Sequence, residues 1–156
     1  MADVVDAATR SRMMAGIRGK DTAPEMLIRR GLHSRGFRFR LHAADLPGKP
    51  DLVFPGRRAV VFVHGCFWHG HDCHLFKWPG SRVDFWREKI GRNVSRDQAA
   101  MEALSSAGWR VLTIWECALK GRERRPLADI LDDVAAWLSS GAARATIRGR
   151  QGDGAD

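Results

Sequence analysis

The chain has 156 residues, 44% of them hydrophobic, with 26 Lys and Arg against 18 Asp and Glu and a net charge of +8. That length supports one hydrophobic core without staples. Three cysteines, an odd number in a chain whose first twenty residues hold no apolar signal segment, argue against a disulfide framework and for metal binding. No apolar run approaches the ~18 residues that cross a bilayer, so the expectation is a cytoplasmic protein with no membrane association. Its basic surface calls for a polyanionic partner, nucleic acid first.

Residues 1–8 are small and mixed, and 139–156 are rich in Ser, Gly, Ala, Arg and Asp. The expectation is one domain over 1–138, with 139–156 a flexible tail. Thr22-Ala23-Pro24-Glu25 is a capping box with Pro in the first turn, and Met26, Leu27, Ile28 and Leu32 continue it as a helix over 23–35, stopped by Gly36. Phe37 and Phe39 alternate with Arg38 and Arg40 as a half-buried strand. Leu46-Pro47-Gly48-Lys49-Pro50 is a turn, and Asp51 stands where the chain enters a second strand, Leu52-Val53-Phe54. Residues 58–64 (Arg-Ala-Val-Val-Phe-Val-His) are almost continuously apolar and β-branched, which predicts a central strand covered on both faces. Residues 65–80 have no period and read as a long functional loop. A helix follows over 82–106, with Phe85, Ile90, Val94, Met101 and Leu104 inward and Arg82, Arg87, Lys89, Arg92 and Arg96 outward. Gly108 ends it. Residues 109–115 form another buried strand, and Leu127, Ile130, Leu131, Val134, Trp137 and Leu138 mark an amphipathic helix. The order predicts an α/β fold, a mixed central sheet flanked by helices.

Three constellations carry chemistry. His64-Gly65-Cys66-Phe67-Trp68-His69-Gly70-His71-Asp72-Cys73-His74 packs two thiols and four imidazoles into eleven positions, a mixture that favours zinc. Cys117, just beyond the strand 109–115, completes a set of Cys66, His71, Cys73 and Cys117 if the two strands are neighbours; spacing alone leaves His69 or His74 open in place of His71. A closed four-ligand site stabilises the fold and leaves no position for hydrolysis, so catalysis needs a second metal. Asp51 offers the hard oxygen that Mg²⁺ prefers, and His64 and His69 offer imidazoles that move protons near neutral pH. Phe67 and Trp68 at the loop tip and Trp86 on the basic helix are apolar wedges of the kind that unstack bases, most cheaply at a mispair. Trp109, Trp115 and Trp137 read as core.

The run Phe62 to Cys73, with Leu46-Pro47-Gly48-Lys49-Pro50-Asp51 and Trp115-Glu116-Cys117-Ala118-Leu119, strongly resembles the very-short-patch repair (Vsr) DNA mismatch endonucleases. The likeness runs from Thr9-Arg10-Ser11 through Phe85-Trp86-Arg87-Glu88-Lys89-Ile90-Gly91 to about Leu138. It implies a restriction-endonuclease-like fold and a strand-specific cut 5′ of the thymine in T:G mispairs left by deamination of 5-methylcytosine. It also implies Mg²⁺ on Asp51 and the main-chain carbonyl of Val63, His69 as catalytic base, and His64 and Glu25 in support. Zn²⁺ falls by the same resemblance to Cys66, His71, Cys73 and Cys117, and DNA intercalation to Phe67, Trp68 and Trp86. The implied partners are double-stranded DNA carrying the mispair, mismatch-repair proteins, a repair polymerase and, functionally, a DNA cytosine-5 methyltransferase; the chain is expected to act as a monomer. The rival readings are a non-catalytic zinc-dependent DNA-binding protein, which leaves Asp51 and His69 idle, and a restriction-type nuclease that cuts matched DNA.

Overall fold

The computed structural model describes residues 21–150; the Thr9-Arg10-Ser11 part of the resemblance lies outside them. Helix α1 spans Ala23–Ser34. It starts where expected, with Thr22 Oγ1 accepting from the Glu25 amide at 3.4 Å. The reciprocal half differs, because Glu25 Oε1 accepts from Asp21 N at 3.0 Å rather than from the cap itself. Strand β1 (Arg40–Leu41) pairs antiparallel with β2 (Leu52–Phe54), which pairs antiparallel with β3 (Ala59–His64). Helix α2 (Val83–Ser106) then crosses to β4 (Arg110–Trp115), parallel to β3, and α3 (Leu127–Ser139) crosses to β5 (Arg144–Ile147), parallel to β4. The sheet is five-stranded and mixed, in the order β1-β2-β3-β4-β5.

Successive strand side chains point to opposite faces, and the buried strands divide accordingly. Leu52, Phe54, Ala59, Val61, Leu112 and Ile114 join Ile28 and Leu32 of α1 and Ile130, Val134 and Leu138 of α3 in the larger core. Val53, Val60, Phe62 and Val111 face the other way, against Leu104 and Met101 of α2. The near-continuous apolar run of β3 is thus two half-runs, each feeding its own layer. Among the described residues no helix is long and apolar enough to cross a membrane.

Three expectations give way. Phe37 and Phe39 are not in a strand; only Arg40–Leu41 is, since both rings reach the core from an irregular segment and pack on Phe54 at 6.4 and 5.5 Å between centroids. Phe85 is 40% exposed instead of inward, because it lies in the first turn of α2, where the Arg82 guanidinium covers its ring at 4.5 Å and the core is met only from Ile90 onward. The stretch expected as a tail from 139 supplies β5, whose Ile147 is buried beside Ile114.

The turn before Asp51 is held tightly. Gly48 has φ +74°, and a Cβ there would lie 2.8 Å from Ala100 Cβ and 3.1 Å from the Phe62 ring. Gly48→Ala therefore combines a left-handed backbone penalty with overpacking, and its urea midpoint should fall by the equivalent of about 2 kcal/mol; an unchanged midpoint would show that α2 gives way freely there.

Candidate active site and metal cluster

The antiparallel pairing of β2 with β3 brings the start of one to the end of the other. Asp51, one residue before β2, thereby meets Val63, whose amide donates to Asp51 Oδ2 at 2.7 Å. Burial pushes the Asp51 carboxyl up to about 7, against the pull of the Val63 amide, and Glu25 adds repulsion. A carboxylate this costly to ionise is one that a bound cation stabilises, and oxygen is the donor a hard divalent ion takes.

His64 follows Phe62 on the α2 side of the sheet, buried at 7% exposure. Its ring stacks on His69, 3.8 Å between centroids and 5° from parallel. Burial first, then the neighbouring His69 and His71, hold its pKa well below the ordinary imidazole value, so it is neutral near pH 7. His69 comes from the loop, which α2 fixes: Asn93 Nδ2 donates to the Trp68 carbonyl at 2.9 Å. At Gly70, with φ +63°, an added Cβ would stand 3.0 Å from both Ile90 and Val94. His69 Nδ1 lies 2.6 Å from Asp97 Oδ2, also on α2. A carboxylate there accepts a hydrogen bond from Nδ1–H and leaves Nε2 as the acceptor. His69 and Asp97 open onto a cleft of about 380 Å³, shared with Gly48, Lys49, Asn93 and Arg96.

Glu25 is 1% exposed on α1 and is held by Arg29 at 3.0 Å and by His42 Nε2 at 2.6 Å. Its charge reaches Asp51, as the repulsion above records.

The second cluster is built by the parallel pairing of β3 with β4. His64 stands opposite Trp115, so Cys66 and Cys117, each two residues further on, leave the sheet side by side. Both are fully buried. Donor atoms of Cys66, His71, Cys73 and Cys117 all lie within 4.8 Å of one another; His71 Nδ1 is 3.5 Å from Cys66 Sγ and 3.6 Å from Cys117 Sγ. Backbone amides support the sulfurs, Cys117 N donating to Cys66 Sγ and Gly149 N to Cys117 Sγ, each at 3.3 Å. Burial pushes both of these thiols up, a cost removed when a metal ion replaces the proton. The four residues could hold a metal ion. Of the three histidines that spacing leaves open, His71 is the one grouped with the cysteines; His69 groups with His64 and Asp97, and His74 Nδ1 lies 3.2 Å from Glu123 Oε1.

The three expected wedge residues form one aromatic group, with Phe67 5.3 Å from Trp68, Phe67 5.4 Å from Trp86 and Trp68 5.7 Å from Trp86. All three are partly buried. Sequence reasoning missed Lys49, Asn93 and Asp97 and took Arg96 only as an outward charge. The available signal was helical spacing, since 93, 96 and 97 fall on one face of a helix.

The family profile described as DNA mismatch endonuclease Vsr matches residues 2–75. The DNA mismatch endonuclease Vsr of Escherichia coli is 48% identical over 147 residues, 94% of each chain. Type II nicking enzyme V.XorIIP of Xanthomonas oryzae is 50% identical over 134 residues, 85% of this chain and 98% of its own length. Type II nicking enzyme V.NmeAIP of Neisseria meningitidis is 43% identical over 122 residues, 78% of this chain and 87% of its own. Identity of this extent, spanning the Asp51 turn, the Cys/His loop and Cys117 alike, leaves one conclusion: the chain belongs to the Vsr family of DNA mismatch endonucleases.

Proposed function

We propose that this chain is a single-domain, strand-specific nickase of restriction-endonuclease-like fold, cutting 5′ of the thymine in T:G mispairs, with Mg²⁺ at Asp51 and a structural Zn²⁺ at the Cys/His cluster. The observation that carries the reading is the meeting, at one end of the sheet, of a buried carboxylate with an imidazole oriented by a second carboxylate, beside Lys49 and Arg96. DNA as substrate accords with the mismatch endonuclease and nicking enzymes among the relatives.

Asp51 and the main-chain carbonyl of Val63 would hold the Mg²⁺, which would supply Lewis-acid stabilisation of the phosphate and a more acidic water. His69, its Nδ1 proton held by Asp97, presents Nε2 to take the proton from the attacking water. His64, neutral and stacked on His69, keeps that ring in plane. Lys49 and Arg96 offset charge on the phosphodiester from the cleft wall. Phe67, Trp68 and Trp86 insert beside the mispair, where unstacking costs least. One such centre among the described residues suits a nick in one strand by a monomer.

For the cluster, zinc accords with the distances: Zn–S near 2.3 Å and Zn–N of 2.0–2.1 Å in a tetrahedron place S and N about 3.6 Å apart, beside the 3.5 and 3.6 Å found. With four protein ligands it would anchor the loop that carries His69 and the aromatic group, and would leave no position for hydrolysis.

Asp51→Ala should keep T:G duplex affinity and lose nicking; loss of both in an unfolded protein would make Asp51 a structural residue. His69→Ala should lower the single-turnover nicking rate by about 10²–10⁴-fold. Asp97→Asn, acting through the tautomer of His69, should lower it by roughly 10–100-fold, and a wild-type rate there would remove the base assignment. Cys117→Ala should lose its bound zinc and melt at lower temperature, while His74→Ala keeps the metal; elemental analysis of both proteins decides the ligand set.

A further inference from the structure

The segment Gly121-Arg122-Glu123-Arg124-Arg125-Pro126 takes part in neither the cleavage cleft nor the metal cluster. Its three arginines meet Arg150, three residues beyond β5, around a surface cavity of about 300 Å³ bordered by Pro126. Among the described residues no carboxylate lines it. Among the described residues the neighbouring acids are engaged or set aside: Glu123 faces His74 at 3.2 Å, Asp133 pairs with Arg125 at 2.6 Å, and Asp129, in the first turn of α3, lies outside the lining.

The two segments are tied by a backbone hydrogen bond, Arg150 N donating to the Glu123 carbonyl at 2.7 Å, and the first is closed on itself by Arg125 N donating to the Ala118 carbonyl at 2.8 Å. Arg124 and Arg150 reach the Gly121 and Arg124 carbonyls at 3.0 and 3.4 Å. With Arg125 held by Asp133, the guanidinium groups of Arg122, Arg124 and Arg150 gathered this way repel one another, and an entering anion reverses the sign of that interaction; a phosphodiester also matches the planar guanidinium fork.

Topology places the cavity and the cleavage site after strands that end on the same side of the sheet. Strands β3, β4 and β5 are parallel, so their C-terminal ends share one end of the sheet. His64 closes β3, Arg122 to Arg125 follow β4, and Arg150 follows β5. Two strand spacings separate β3 from β5, roughly 10 Å, which a duplex covers in a few base pairs. We propose that this cavity is a second phosphate-binding site, holding the backbone of the same duplex a few base pairs from the cut. The proposal rests on DNA being the substrate.

The test uses the full-length protein and the double variant Arg122→Ala/Arg124→Ala, both exposed positions that pair with no carboxylate among the described residues. Binding is measured between 50 and 200 mM salt on a T:G duplex and its matched counterpart. The slope of log affinity against log salt should become shallower by about 1 to 2, at ~0.9 for each phosphate no longer neutralised. Both duplexes should weaken by the same factor, and the nicking rate at saturating DNA should stay at the wild-type value. Shortening one arm of the duplex should then weaken the wild type to the level of the variant and leave the variant unchanged. An unaltered slope, or equal sensitivity of both proteins to shortening of either arm, overturns the site. Wild-type nicking in the same samples keeps the two questions apart: a protein that binds without cutting contradicts the nickase and leaves the slope comparison decisive for the cavity.

Discussion

The parallel pairing of β3 with β4, His64 opposite Trp115, is the constraint on which the Cys/His cluster, and with it the loop that carries His69, depends. It fixes where two chain segments about fifty residues apart leave the sheet, so that Cys66 and Cys117 emerge as neighbours and Cys117 N can donate to Cys66 Sγ. A one-residue slip would turn every side chain of β4 to the opposite face and carry Cys117 out of reach of His71. The register is secured by burial on both faces, with Val61 and Leu112 in one core layer and Val60 and Val111 in the other. Apolar packing across the sheet therefore sets the position of groups that are themselves polar.

The same end of the sheet holds ionisable groups whose environments push them apart. Asp51 is a carboxyl that burial makes hard to ionise, and His64 an imidazole that burial keeps neutral. His69, by contrast, is partly exposed and has a carboxylate partner in Asp97. Divergent surroundings of this kind suit the roles proposed for Asp51, a cation-binding carboxylate, and His69, a proton-accepting imidazole, within one small volume. Phe62 and His64 stand on the α2 side because strand side chains alternate, and α2 brings Asn93, Arg96 and Asp97 to meet the loop. The long basic helix thus serves as the wall of the cleft as well as the cover of the smaller core.

Much of this is legible in the chain because the informative residues are rare types crowded together. Six His and Cys within eleven positions mark the loop, and β-branched runs mark β3 and β4. Asp51 stands out only through the turn before it and the family resemblance. Asp97 and Lys49 are hidden because a carboxylate and a lysine on a charged surface look like solvated residues until the fold supplies their neighbours. Arg144-Ala145-Thr146-Ile147 reads as tail since its flanks are Gly, Ala and Arg; only pairing with the exposed edge of β4 makes it a strand. Phe85 misleads in the opposite direction, because helical periodicity continues past the point where the core ends.

The most direct measurement is strand-resolved cleavage of a duplex carrying one T:G pair, set against the same duplex with T:A, with Mg²⁺ and with chelator. The proposed nickase yields a single cut, 5′ of the thymine, in the T:G duplex and only with the metal. Cuts in both strands, equal cleavage of the matched duplex, or activity undiminished by chelation contradict it.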